Sequence, residues 1–136
     1  VSASALLALR AALIDRFADD PALAALMGGA VRLHDEPPRG AVPVYALFGE
    51  AASRDDSVDG ARRAILGQAL IVIAKPGSAR SALDAAARMA ALAEDGLALA
   101  GHTLVSLVAE SLSASRDARS GEARAILSLR GVAETP

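Results

Sequence analysis

The stretch GLALAGHTLVSLVAESLSASRDARSGEARAILSLRGVAE, residues Gly96 to Glu134, decides the fold. It reads as the end of a helix, a long strand, a polar turn and a second long strand. The second strand alternates. Ala123, Ala125, Leu127 and Leu129 fall on one face, and Glu122, Arg124, Ser128 and Arg130 on the other, with Ile126 and Val132 as exceptions. The first strand does not alternate. Its odd positions carry Val105, Leu107 and Ala109, while its even positions carry Leu104, Val108 and Leu112 beside Ser106 and Glu110. A strand apolar on both faces must be covered on both. The chain's own helices can supply one cover, and the other calls for a second chain. The uniformly apolar odd face is therefore assigned to the core. The mixed even face, with Leu104, Val108 and Leu112, is assigned to a subunit interface, since interfaces mix apolar and polar groups. Arg116 and Arg119, in the turn that follows, either extend that surface toward acidic groups of a partner or belong to a solvated turn.

Working outward from this hairpin, the preceding segment from Ser78 to about Asp95 predicts a helix capped by Ser78 and ended by Gly96. Ala82, Ala86, Met89 and Ala93 share one side of it, and small side chains let a helix lie close on a sheet. Before it, Ala61 to Ala74 predicts a strand whose centre, Leu70 to Ile73, again lacks alternation; Pro76-Gly77 stops it. The acidic segment Ala52 to Gly60 reads as a loop, and Val42 to Glu50 as a strand that Pro43 places at an edge or at its own start. Asp35 to Gly40 is a turn whose two prolines forbid helix and sheet interior alike. A short strand is expected at Val31 to His34. At the beginning, residues 3 to 18 form an amphipathic helix with Leu6, Leu9, Leu13 and Phe17 down one side. Asp20-Pro21 then starts a short helix as N-cap and first residue, and Gly28-Gly29 closes it. The expected fold is thus α+β: a largely antiparallel sheet of four to five strands, packed against the N-terminal helix and the central Ala-rich helix.

The 136 residues fit one domain, 1–136, with a core hiding roughly 70% of the unfolded chain's surface. Only Phe17, Phe48 and Tyr45 are aromatic, too few for the walls of a ligand pocket or for base-stacking platforms. The formal charge is −2, with Lys75 the one lysine, so no basic surplus calls for nucleic acid or an anionic membrane. There is no cysteine, which removes disulfides and thiolate metal sites and suits a reducing compartment. No apolar run reaches the ~20 residues of a membrane span. Arg10, Asp15 and Arg16 interrupt the apolar start at helical spacing, which is not the pattern of a signal peptide.

Candidate chemistry is sparse. Asp55-Asp56-Ser57-Val58-Asp59-Gly60 imitates the start of a calcium loop, but Leu66 stands where the bidentate glutamate belongs and strands flank it. A solvated hairpin tip is expected there. His34 and His102 would need each other and a carboxylate such as Asp35 to hold a metal, and no spacing enforces that. His102 after Gly101, at the mouth of a strand, suits a hydrogen-bonded structural histidine. No serine sits in a nucleophile elbow, and Gly28-Gly29 lacks a phosphate-loop context. Arg62-Arg63 reads either as a contact for a partner's acidic surface or as a solvated strand end. No catalytic, metal or cofactor site is expected, and the enzyme alternative rests on His102 or His34 with a nearby carboxylate.

Beyond these physical readings, the chain resembles the tail-terminator, or tail completion, proteins of long-tailed phages and gene transfer agents. The resemblance is carried by the N-terminal helix leading into Asp20-Pro21-Ala22-Leu23-Ala24-Ala25-Leu26, and by the Pro-rich turn before Pro43-Val44-Tyr45-Ala46-Leu47-Phe48-Gly49-Glu50. It continues through the strand ending at Lys75, the Ala-rich helix and the block Leu97 to Leu107. The Arg116-Asp117 turn, the Arg124 to Arg130 strand and the tail after Val132 complete it. The resemblance implies a structural protein, not an enzyme, that assembles as a ring of six copies. Such a ring caps the tail tube, ends its polymerisation and docks to the head connector. It implies as partners a second copy, the tail tube protein and the connector or stopper, with DNA passing through the ring without sequence-specific binding. It implies no membrane and no cofactor. It places the protein in the cytoplasm of the producing bacterium during assembly and at the head–tail junction afterwards. A head-completion or stopper-like protein of similar size is the alternative within the same class.

Overall fold

A computed structural model describes residues 2–36, 44–60, 62–74 and 79–135. Expectations resting on Pro37, Pro38, Val42, Pro43, Ala61, Pro76 and Ser78 lie outside the described residues.

The first helix, α1 (Ser2–Ala18), buries Ala5, Leu9, Leu13 and Phe17, one residue every four, so a single stripe faces inward. Leu6, expected on that stripe, is half-buried at its margin. The second helix, α2 (Pro21–Leu26), begins as its sequence dictates. Asp20 accepts the Leu23 N–H at 2.8 Å, and Pro21 stands in the first turn, where its missing donor costs nothing. Gly28 and Gly29 end it in the left-handed region, with φ of 94° and 120°, and the Gly29 N–H closes onto the Ala24 carbonyl at 2.7 Å.

Five strands follow the order β1-β2-β3-β5-β4. The short β1 (Leu33–His34) lies parallel to β2 (Val44–Asp55), and every other pairing is antiparallel. β2 runs on through the segment read as an acidic loop and ends only at Asp55. Its polar second half pairs with β3 (Arg62–Ala74) and leaves Glu50, Ala51, Ala52, Arg54 and Asp55 exposed. Polar side chains do not end a strand whose surroundings are solvated, because backbone pairing alone sustains it. A bulge between Phe48 and Ala51 shifts the register there.

Helix α3 (Ala79–Glu94) then crosses the sheet and leads into β4 (Thr103–Arg116) and β5 (Ala123–Thr135). It buries Ala82, Ala85, Ala86, Met89, Leu92 and Ala93, the expected close-packing stripe and its neighbours. β5 alternates without a break, burying Ala123, Ala125, Leu127, Leu129 and Ala133. These face the helices together with Ala64, Leu66, Leu70, Val72 and Ala74 of β3, and one apolar cluster unites them with α1, α2 and α3. Leu66, Leu70, Leu127 and Leu129 are fully enclosed, and each contributes about 1.5–3 kcal/mol relative to exposure.

Ion pairs fasten the helical layer. Arg88 of α3 grips Asp20 with two bonds of 2.9 and 2.7 Å, and that carboxylate also caps α2. Arg16 of α1 reaches the Leu92 carbonyl at 3.3 Å and Asp95 at 2.6 Å. Arg10 pairs with Asp35 and lies 4.1 Å from the Phe48 ring centre, joining α1 to the sheet.

Candidate functional site

Neither of the chemistry-bearing candidates gathers a working group. In the Asp55–Gly60 turn the carboxylates have local partners. Asp55 accepts from the Ser57 hydroxyl and amide at 2.5 and 3.0 Å, which holds its carboxyl below the usual range, and Asp56 pairs with Arg63 at 3.1 Å. His102 lies 3.0 Å from the Thr135 hydroxyl, a bond that ties the entry of β4 to the end of β5. Among the described residues no three His, Asp or Glu side chains converge as metal ligands. The turn between β4 and β5 is self-satisfied as well. Asp117 accepts the Arg119 N–H at 2.9 Å and the Ser120 hydroxyl at 3.2 Å, which hold its carboxyl below the usual carboxylate range.

The sheet surface is more informative. Pairing assigns each β4 residue a face through its β5 partner. Leu104 stands opposite Ala133, Leu107 opposite Gly131 and Ala109 opposite Leu129, all on the helix side. Ser106 opposite Val132 and Val108 opposite Arg130 lie on the other side. Two bulges, between Leu104 and Ser106 and between Ala109 and Ser111, interrupt the alternation. The odd–even division expected for β4 therefore does not hold. Val105, assigned to the core, is 53% exposed, while Leu104, assigned to an interface, packs against the core. Leu107 is buried and Ala109 half-buried.

The five residues expected at a subunit contact are thus dispersed. Leu104 belongs to the helix side of the sheet and Val108 to the open side. Leu112, opposite Leu127, is back on the helix side but 40% exposed. Arg116 ends β4 opposite Ala123, and Arg119 sits in the exposed turn. A single inserted residue in a strand moves every later side chain to the opposite face. Nothing in the apolar pattern of this stretch marks where the insertions fall.

No helix of the described residues covers the other face of the sheet. Tyr45, Leu47, Ile65, Ile71 and Val132 lie there half-buried, with Ile126 and Val108 more exposed. At its centre small residues leave a shallow depression of about 220 Å³, bordered by Glu50, Ala52, Gly67, Ala69, Glu110 and Ser128. Beside it, Glu110 and Arg130 pair across the strands at 3.7 Å. Burial and the nearby Glu122 push the pKa of the Tyr45 hydroxyl up at the other end of this face.

One contact has no precursor in the sequence pattern. Glu94, the last residue of α3, accepts the Ala109 backbone N–H at 2.9 Å. Its side chain satisfies a donor beside the second β4 bulge, which residue type and spacing alone do not reveal.

An α+β fold with one helix-covered sheet face and, among the described residues, one uncovered face of mixed apolar and charged side chains offers broad surface for contact with other proteins. Comparison with known families makes this specific. The chain belongs to the family described as Tail completion protein gp17, whose model matches residues 11–134, and its role is structural, in tail assembly. Among solved structures it is similar to a chain in the virion of a native gene transfer agent particle. The identity is 27% over 98% of each chain, with a TM-score of 0.82. Comparison with curated protein sequences gives no significant match.

Proposed function

We propose that the protein forms a ring that caps the tail tube, ends its polymerisation and presents the surface to which the head connector docks. The observation that carries this is the end-to-end likeness to a chain of a gene transfer agent virion, read together with membership of a tail completion family. The sheet's bare apolar face and the absence of converging reactive groups among the described residues support it, because such a protein acts through contacts and not through chemistry. Its partners are other copies of itself, the tail tube protein and the connector, with DNA passing through without base-specific contacts. It is made in the producing cell and resides at the head–tail junction, and it has no catalytic activity.

Deletion of the gene in the producing strain, followed by electron microscopy of the lysate, tests this. Unjoined heads and tails of uncontrolled length are the expected result. Tails of uniform length that fail to join heads would instead place the protein on the head side, as a stopper. Normal joined particles would refute both roles.

A further inference from the structure

The two outer edges of the sheet are each half open, and the open halves lie at diagonally opposite corners. On one edge, β1 pairs with β2 only at Ala46 and Leu47. Among the described residues no strand pairs with the outer side of β2 from Ala51 to Asp55. On the other edge, β4 has β5 on its inner side and, among the described residues, no strand outside. There the bulges and the Glu94 carboxylate on the Ala109 N–H guard the first half. From Ser111 to Arg116 no such device is present among the described residues, and the run has no proline or lysine to blunt it. An unpaired row of backbone N–H and C=O groups is chemically specific. Its complement is another strand.

We propose that the open half of β4 pairs antiparallel with the open half of β2 in a second copy, so that one repeated contact joins successive copies into a continuous sheet. This rests on the ring reading above and assigns its subunit contact. Strand direction fits. β3 and β4 both run antiparallel to β5, and β2 runs antiparallel to β3, so β4 and the next copy's β2 point oppositely under simple rotation. Such a contact uses two different surfaces of one chain, as a closed ring requires, and removes both edges at once.

The stagger fits as well. Within one copy, Ala114 is level with Ala125 and Val72. Keeping helix-side residues together across the contact sets Ala114 against Ala51 or Ser53 of the next copy, which are level with Gln68 or Leu66. The displacement along β3 is then four or six residues, about 14 or 20 Å at ~3.4 Å per residue, across four strands spanning about 19 Å. Strands so staggered tilt by about 35° or 47° from the ring axis, against the ~35–45° at which closed barrels form. The direction of climb follows from the β3–α3–β4 connection. Given the right hand that such crossovers take, β4 lies to the right of upward-pointing β3 when seen from the helices. The open half of β4 is then upper right and that of β2 lower left, so each copy climbs to the right. That is the sense in which a right-twisted sheet closes with its helices outside.

The chain has no cysteine, so paired substitutions report the contact without background. Ala114→Cys would be combined with Ala51→Cys, and separately with Ser53→Cys, all at solvent-accessible positions, in particles from the producing strain. After mild oxidation and denaturation, one of the double variants is expected to give a ladder of disulfide-linked multimers, while each single variant runs as a monomer. Dimers from Ala114→Cys alone would mean that β4 meets β4 about a two-fold axis, and would overturn the proposal. The absence of any ladder, while image averages of the same particles still show a multi-copy ring, would overturn the edge contact and leave the ring reading intact. Single copies in those images would refute the ring reading itself.

Discussion

Gly131 and Gly67 sit on neighbouring strands and should respond oppositely to the same substitution. Gly131 is buried opposite Leu107, beside the first bulge of β4. A methyl group built there would lie 2.9 Å from the Ser106 carbonyl oxygen and 3.0 Å from a Leu107 methyl. The leucine end can turn aside, but the carbonyl belongs to a paired strand and can withdraw only by distorting the bulge. Overpacking of this kind costs about 1–3 kcal/mol, and the strand preference for alanine over glycine returns about 0.5–1 kcal/mol of it. Gly131→Ala should therefore destabilise, by up to about 2.5 kcal/mol. At Gly67 the added methyl meets only the Ala52 carbonyl oxygen, at 4.0 Å, so the entropic gain stands alone. Gly67→Ala should stabilise by about 0.5–1 kcal/mol. Urea titrations followed by circular dichroism measure both, with the slope checked for constancy. A Gly131→Ala protein as stable as the parent would show that the bulge yields freely. A destabilised Gly67→Ala protein would show that the bare face is more tightly packed than described.

Further substitutions and conditions test the other parts of the structure. Leu127→Ala, at the fully buried centre of β5, should cost about 2–5 kcal/mol in the same titration, and a loss below about 1 kcal/mol would contradict the packing. Val108→Asp, on the bare face, should leave the dichroism spectrum and melting temperature nearly unchanged, whereas Leu107→Asp should unfold the chain by burying an unpaired charge. The Arg88 guanidinium, with help from the Leu23 N–H, holds the Asp20 carboxyl at about 2. A depressed carboxylate stabilises above its ordinary value near ~3.9 and loses that contribution as the pH falls toward 2. Melting temperatures between pH 4.5 and 2 should therefore fall less steeply for Asp20→Asn than for the parent, and parallel curves would refute the coupling. Millimolar calcium should leave the melting temperature unchanged, since Asp55 and Asp56 are held by Ser57 and Arg63; a rise of several degrees would reveal a site in the Asp55–Gly60 turn.

The architecture was legible where side-chain period and backbone geometry agree. The one-in-four stripe of α1, the Asp20-Pro21 start of α2, the alanine face of α3 and the alternation of β5 each state their structure directly. β4 did not, because two bulges reassign its faces and a bulge is a backbone event with no fixed residue type. β2 outran its expected end for a related reason: Ser53, Arg54 and Asp55 resemble loop residues until a partner strand is seen beside them. Among the candidate contact residues, Leu104, Val108 and Leu112 take their sides of the sheet from the register, which apolar composition alone does not state. The edge guard at Glu94 depends on where a helix end meets a strand, which no local pattern encodes.

The order β1-β2-β3-β5-β4 also bears on how the chain is made. β5 comes last of the five along the chain yet lies inside the sheet, paired on one side with β3 from Arg62 to Ala74 and on the other with β4. As synthesis proceeds, α1, α2, the β2–β3 hairpin and α3 all emerge before β4, whose partner β5 follows only with residues 123–135. A chain interrupted before Ala123 therefore holds β3 and β4 with an empty strand position between them, and its β4 lacks the partner that fixes its outer edge. Synthesis of residues 123–135 and closure of the sheet are therefore a single event, because β3 and β4 meet only through the strand made after both of them.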